Sequence, residues 1–365
     1  MSVERKRVLF VVPSFAGGGG GAERVLAVLL RHLDNERFEI HVAAIQGTLP
    51  FSHDLPPHVM VYDLGVSRMR HALPAVVRVA RRVRPHIIFS TVVFANATVL
   101  LARSFLPKNV RFIIREATTP SAFIAHSARL PHLWKWIYGR LYRKADKIVC
   151  LSDAMVADLT AFGLARDRLT RIHNPVDTDA IQAAGVNAQN PYLGAGPNLV
   201  AAGRLAFEKG FDVLLAAMPA VAKEFPGVHL TILGEGPLLH DLQRRARALG
   251  IEEKVSLPGF QPEPWSYLRH ADAFVLSSRF EGLPNVVLEA LALGTPVIAT
   301  DCPGGIREIK EALGEIFLVP PENPAALAQE IISLCKSKRR VDVTAGLRSV
   351  FGVSKAMAAY VELLG

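Results

Sequence analysis

Apolar residues along this chain keep two rhythms. Short β-branched runs alternate with longer stretches in which apolar residues return every third or fourth position. In the first half the runs fall at residues 8–12, 39–45, 87–90, 110–114 and 147–151, with helical stretches at 22–33, 74–83 and 96–103. The second half repeats the theme, with runs at 199–202, 229–233, 255–257, 273–276, 297–299 and 316–319 and helical stretches at 211–224, 237–249, 285–293 and 324–333. The short runs read as strands. Their alternation with helices predicts parallel sheets built from βα units. The chain therefore reads as α/β, with two Rossmann-like doubly wound domains. Between the halves, HNPVDTDAIQAAGVNAQNPYLGAGPN has no sustained amphipathic period and is rich in Asn, Gly, Ala and Pro, which predicts an interdomain linker at 176–197. Ligands of open α/β sheets sit beyond the carboxyl ends of the strands, so two such domains are expected to face each other across a cleft lined by those loops.

Composition agrees with this class. At 365 residues the chain is long enough for two cores. Half of it is apolar and 21% is charged, which excludes a disordered chain, a coiled coil and collagen. Cys150, Cys302 and Cys335 are too few and too scattered for a disulfide framework or a zinc pattern, which favours a reducing compartment. The charged opening MSVERKRVLFVV runs straight into a strand, so no signal peptide is expected. No apolar run is long and charge-free enough to predict a transmembrane helix. Charge does change the picture. Residues 1–175 carry 25 Lys/Arg against 12 Asp/Glu, a net +13, whereas residues 176–365 carry 17 against 21, a net −4. A basic first half points to an anionic partner: nucleic acid, membrane surface or phosphate.

Five glycines, Gly17 to Gly21, follow the first predicted strand and open a helix at Ala22 and Glu23. Glycine lets backbone approach a ligand closely, and the helix N-terminus behind it favours an anion. Gly17, Gly19 and Ala22 also satisfy a dinucleotide pattern, but the second strand ends in Ile45-Gln46-Gly47, with no acid to hold a ribose. A plain flexible turn stays open as the alternative. In the second half, Gly203-Arg204-Leu205 ends a strand, with Lys209-Gly210 just beyond; two cations before a helix suit a diphosphate, although surface charge would look alike. Gly234-Glu235-Gly236-Pro237 and Leu257-Pro258-Gly259-Phe260 end two more strands and suit a nucleotide base edge, or are simple turns. In Ser277-Ser278-Arg279-Phe280-Glu281-Gly282-Leu283-Pro284-Asn285, Gly282 and Pro284 predict a strained turn before a helix whose amides would face a phosphate. Glu281 lies in that loop and Glu289 one turn into the helix, where its carboxylate suits two ribose hydroxyls.

The Glu-x(7)-Glu spacing of Glu281 and Glu289 in FEGLPNVVLEALALGTPV resembles the signature of retaining glycosyltransferases of family 4, which have the GT-B fold and include bacterial cell-surface polysaccharide and lipid-linked glycan glycosyltransferases. Gly203-Arg204-Leu205 with Lys209-Gly210 matches the family's phosphate-gripping pair, and Gly20-Gly21-Ala22-Glu23 its N-terminal loop. The likeness covers nearly the whole chain in the right order. It implies domains at 1–175 (acceptor) and 198–350 (nucleotide sugar), with residues 351–365 forming a helix that returns to the first domain. It implies that Arg204 and Lys209 neutralise the donor's diphosphate and that Glu281 contacts the donor sugar. Gly282 and Leu283 would bind through backbone amides, and Glu289 would hold the ribose. Gly20 and Gly21 would lie against the diphosphate, with Glu235 and Phe260 near the base. No metal and no cofactor beyond the donor are implied, because cations and helix dipoles supply the electrostatics. Many relatives carry a His after the strand matching 110–114; here Arg115 or Glu116 stands there, or His126 reaches in from the next segment.

The acceptor is read from the basic half. In 129–144, Leu130, Leu133, Trp134, Ile137, Tyr138, Leu141 and Tyr142 form a helical stripe with Arg129, Lys135, Arg140, Arg143 and Lys144 largely off it. This fits a membrane interface or a core-facing stripe with a solvated basic face equally well. Arg68, Arg70, Arg78, Arg81, Arg82 and Arg84 add charge to the same domain. No nucleic-acid motif supports that rival anion. The expected activity is transfer of a hexose or N-acetylhexosamine from a nucleoside-diphosphate sugar, UDP favoured and GDP-mannose open, to a lipid-linked or glycan acceptor. It is expected at the inner face of the plasma membrane, by a cytoplasmic, membrane-peripheral enzyme. The alternatives are a soluble acceptor, or a non-catalytic nucleotide-sugar binder.

Overall fold

The computed structural model describes residues 5–14, 21–46, 55–67, 71–126, 128–186 and 188–365. The chain forms two compact units, Met1–Pro175 with Val353–Gly365, and Val176–Gly352. The described strands of the first are β1 (Lys6–Ser14), β2 (Phe38–Gln46), β3 (Met60–Asp63), β4 (Ile87–Thr91), β5 (Arg111–Arg115), β6 (Lys147–Cys150) and β7 (Leu169–Arg171). They pair in parallel in the order β3-β2-β1-β4-β5-β6-β7. Val8, Phe10, Val12, Ile40, Val42 and Phe89 are buried, which is why apolar residues dominate their strands. The edge strands β3 and β7 lie outside the sequence expectation. Each borders only one neighbour, and β3 is largely exposed, so neither carries an apolar run.

The second unit holds β8 (Asn198–Ala202), β9 (His229–Leu233), β10 (Val255–Ser256), β11 (Ala273–Leu276), β12 (Val297–Thr300) and β13 (Ile316–Val319), all parallel, in the order β10-β9-β8-β11-β12-β13. The order reverses between β8 and β11, the kind of switch point beside which open α/β sheets take their ligands. Part of the segment read as a linker is structured instead. Residues Thr178–Val186 form a helix of the second unit, and Gln182 donates to the Ala292 carbonyl (3.1 Å) and to Thr344 Oγ1 (3.1 Å). Its apolar stripe is too sparse to show in the sequence, since only Ile181 among its large apolar residues is buried.

The closing helix Val353–Leu364 belongs to the first unit. Ala356, Met357, Tyr360, Leu363 and Leu364 follow the i, i+1, i+4, i+7, i+8 spacing of one face and enter the core around β1 and β4. The Tyr360 ring meets Phe89 edge-on at 6.1 Å. Lys6 Nζ donates to the Gly365 carbonyl and Arg111 Nη2 to that of Leu363 (3.2 Å), so two cations satisfy the negative end of the helix. The helix starts at Val353; residues Thr344–Phe351 form a separate helix of the second unit.

Candidate active site

Three turns at the carboxyl ends of β8, β9 and β10 form one backbone surface. Gly203 N donates to Leu233 O (2.9 Å), Leu205 N to Glu235 O (2.8 Å) and Gly234 N to Gly259 O (2.8 Å). This approach demands glycine at 234: its φ is +138°, and a Cβ there would sit 2.0 Å from the Gly203 oxygen. Arg204 projects from this surface, exposed and, among the described residues, without a side-chain hydrogen bond or ion pair. Glu235 is also exposed, and Phe260, one residue past Gly259, is half-buried.

Lys209 ends the short 3-10 turn Phe207–Lys209 ahead of the helix Phe211–Glu224. Its Nζ lies 2.7 Å from Glu281 Oε1, and Ser278 Oγ donates to the same oxygen at 2.6 Å. Ser277 Oγ donates to the Lys209 carbonyl (2.9 Å). Burial by itself would pull the Lys209 ammonium down, but the charge and hydrogen bond of Glu281 outweigh it, so its pKa lies above the ordinary value of 10.5. Lys209 is therefore a fixed cation at neutral pH.

Arg279 holds the turn that carries Lys209, a part the sequence reading passed over. Its guanidinium grips both Asp212 oxygens (2.9 and 2.8 Å), donates to the Phe207 carbonyl (2.7 Å) and stacks over the Phe207 ring at 4.2 Å. Burial tends to raise the Asp212 pKa, yet the Arg279 bonds prevail and hold it below the usual carboxylate value. An Arg in a polar loop looks like surface charge, and the only signal in the sequence was its place two residues before Glu281.

The loop after β12 fixes Glu281 from the other side. Glu281 N donates to Pro303 O (2.9 Å), and Gly305 N to Gly282 O (2.8 Å). The strained residue is Gly304 and not, as the sequence led us to expect, Gly282. Gly304 has φ +130°, and a Cβ there would fall 2.3 Å from Glu281 O; Gly282 is not among the positive-φ residues. Gly282 and Leu283 are buried beside Glu281, and the helix Asn285–Ala292 then presents Glu289, 9% exposed, one turn in.

The remaining candidates lie in the first unit. Gly20, with Gly17, Gly18 and Gly19, is outside the described residues, as are Arg68 and Arg70; Gly21 opens the helix Gly21–His32. Arg115 closes β5 fully buried and donates to Thr91 Oγ1 (2.9 Å) and Asn174 Oδ1 (2.5 Å). Glu116 is also buried; its Oε2 accepts from Tyr142 Oη (2.6 Å) and its Oε1 from Ala117 N (3.2 Å). Asn96 donates to Arg115 O (3.0 Å) and to Tyr142 Oη (3.4 Å) while accepting from Ser90 Oγ (2.7 Å). His126 is exposed at the end of the helix Pro120–His126.

Burial raises Glu116 from 4.5 to about 7, against the opposing pull of Tyr142, the backbone amides and Arg115. A raised acid keeps its proton in the fold after the unfolded chain has lost it. Stability relative to Glu116→Gln is therefore expected to be highest below about 4.5, to fall as pH rises toward about 7, and to level off above it. The full difference is at most about 3 kcal/mol. Urea unfolding of both proteins across that range measures it, and parallel pH profiles would refute it.

Among the described residues no group of three His, Cys, Asp or Glu could hold a metal ion, and no helix is long and apolar enough to cross a membrane. The family model for Glycosyltransferase Family 4 matches residues 19–180, and that for Glycosyl transferases group 1 matches residues 196–337. The N-acetylgalactosamine-N,N'-diacetylbacillosaminyl-diphospho-undecaprenol 4-alpha-N-acetylgalactosaminyltransferase of Campylobacter jejuni is 30% identical over 320 residues, covering 84% of this chain and 85% of its own. A lipopolysaccharide 1,6-galactosyltransferase of Salmonella typhimurium is 30% identical over 179 residues, 47% of this chain and 48% of its own. Among solved structures, Anabaena HepE in complex with UDP-glucose superposes with a TM-score of 0.79 at 19% identity, over 98% of this chain and 99% of that one. That likeness shows a shared fold, the two Rossmann-like domains of GT-B.

Proposed function

We propose, since this chain belongs to glycosyltransferase family 4, that it moves a hexose or N-acetylhexosamine from a nucleoside-diphosphate sugar, preferably of UDP, to a lipid-linked or glycan acceptor, with retention at the anomeric carbon. The acceptor is offered at the cytoplasmic face of the membrane. The observation that carries this reading is the Lys209–Glu281 contact at 2.7 Å, braced by Ser278 and by the Arg279 clamp on the adjoining turn. In the reaction the bond from the anomeric carbon to the diphosphate oxygen breaks, and its electron pair leaves with the nucleotide. The acceptor oxygen bonds to that carbon, and its proton passes to the departing phosphate. Lys209 has its charge largely matched by Glu281, so exposed Arg204 is the cation free to collect the incoming diphosphate. Glu281 then orients the sugar while Lys209 and Arg204 take up the developing charge. The C. jejuni relative, named for an undecaprenyl-diphosphate-linked acceptor, supports the choice of lipid-linked substrate.

The reading includes no metal and no cofactor, because two cations do the neutralising. The test is a panel of UDP and GDP sugars with a polyprenyl-diphosphate glycan, followed by mass detection of product and by NMR of the new linkage. We expect turnover with a UDP sugar, an unchanged rate in excess EDTA, and a product with the donor's anomeric configuration. Inversion, or loss of turnover in EDTA, would overturn those parts separately.

A further inference from the structure

The helical run 131–144 settles an ambiguity in its sequence. Trp134, Ile137, Tyr138, Leu141 and Tyr142 face the core, whereas Leu130, Leu133 and Trp136 stand exposed. A second helix, Val93–Ala102 with its continuation Arg103–Phe105, runs beside it in the same direction. The Phe94 and Trp134 rings are 5.0 Å apart at one end. At the other, Arg103 Nη1 donates to the Lys144 carbonyl (2.7 Å) and Lys144 Nζ to Ser104 Oγ (3.4 Å). On this second helix Phe94, Leu101 and Phe105 are 47%, 43% and 54% exposed, spaced seven and four residues apart and hence on one stripe. Leu133 and Trp136 on the neighbour are 46% and 53% exposed.

Cations stand among these apolar tips. Lys108, Lys135, Arg140, Arg143 and Lys144 are exposed, and the acids between residues 92 and 147 are Glu116, which is buried, and Asp146, whose carboxylate is held by both Arg103 guanidinium nitrogens (2.7 and 3.0 Å). Large apolar tips with an excess of cations, and with the Asp146 carboxylate already matched by Arg103, fit the interfacial zone of an anionic bilayer, where rings enter the headgroup region and ammonium and guanidinium groups meet phosphate. A second copy of this surface would bring like charges together, and protein interfaces are poor in lysine. We propose that these two helices form a docking surface for a bilayer rich in anionic phospholipid. The inference deepens the lipid-acceptor side of the proposed function, but binding alone reads it out, so either can fail without the other.

The test is co-sedimentation of the full chain with vesicles of equimolar phosphatidylcholine and phosphatidylglycerol, beside vesicles of phosphatidylcholine only. We expect strong binding to the first and weak binding to the second. Arg140→Glu with Lys144→Glu should cost about fivefold in affinity per cation lost, and more through the reversed sign. Phe105→Ala with Trp136→Ala should cost about tenfold or more, with the thermal midpoint held because both side chains are exposed. Lys223→Glu in the second unit should bind like wild type. Equal binding by all variants, no preference for the anionic vesicles, or self-association of the wild type through Trp136 in place of vesicle binding would each overturn the proposal. Vesicle binding that follows the surface, in a protein that transfers no sugar, would sustain this inference and refute the proposed function.

Discussion

Lys209→Ala is expected to lower turnover about 10²- to 10³-fold, the usual loss when one preorganised charge aimed at a leaving group is removed. The substitution also removes the cation 2.7 Å from Glu281, which is 8% exposed. A stability loss of about 2 kcal/mol should follow, less than the roughly 3–5 kcal/mol of a fully buried pair because the Lys209 side chain keeps some contact with water. The two effects separate in the double variant. Lys209→Ala with Glu281→Gln removes both charges, so most of the stability should return while turnover stays lost. Urea unfolding and steady-state kinetics of the two single variants and the double one give the cycle. Turnover recovering together with stability would mean that the pair only holds the fold. Because burial and Glu281 act oppositely on Lys209 and Glu281 prevails, the ammonium stays charged through neutral pH, and its contribution fades only as pH rises through its elevated pKa.

Tyr360→Ala should cost about 3–5 kcal/mol of unfolding free energy, as for other large aromatic side chains deleted from a core. The ring is 2% exposed and closes the core over Phe89, which itself meets Phe10 at 5.2 Å. Tyr360→Phe is the companion variant. Among the described residues the Tyr360 hydroxyl makes no well-aligned hydrogen bond and lies near the Arg115 guanidinium, so its removal should cost much less than loss of the ring. A loss in Tyr360→Phe as large as in Tyr360→Ala would show that the hydroxyl, and not the ring, secures the closing helix.

Much of this molecule is legible before folding is considered. Strands covered on both faces announce themselves as largely apolar runs, as β8, β11 and β12 of the second unit do, whereas the edge strand β10 is only a half-buried Val255-Ser256. The edge strands β3 and β7 carry no such run, because a strand with one neighbour and one solvated side needs no continuous apolar sequence. The helix Thr178–Val186 is hidden for a related reason: one large buried side chain over two turns is no period. Among the site residues, Arg204, Lys209, Glu281 and Glu289 stand out through residue type and position after strands. Arg279, Ser278 and Gly304 do not, since nothing local distinguishes a clamp from a surface charge or a close backbone approach from an ordinary turn.

Periodicity, turn residues and the uneven charge of the two halves are properties of neighbours along the chain, and they were enough to settle the class of fold and to single out the loops proposed to carry the chemistry. Contacts between loops depend instead on strand order. β8 lies against β11, passing over β9 and β10, and that adjacency brings Lys209 to Glu281 across 72 residues of sequence. Burial is decided in the same way. Glu116 loses water, and with it the ordinary carboxylate pKa, because Tyr142 and the helix beneath it close over the end of β5. The aromatic stripe of 131–144 divides into core and exposed surface only where a second helix packs alongside it.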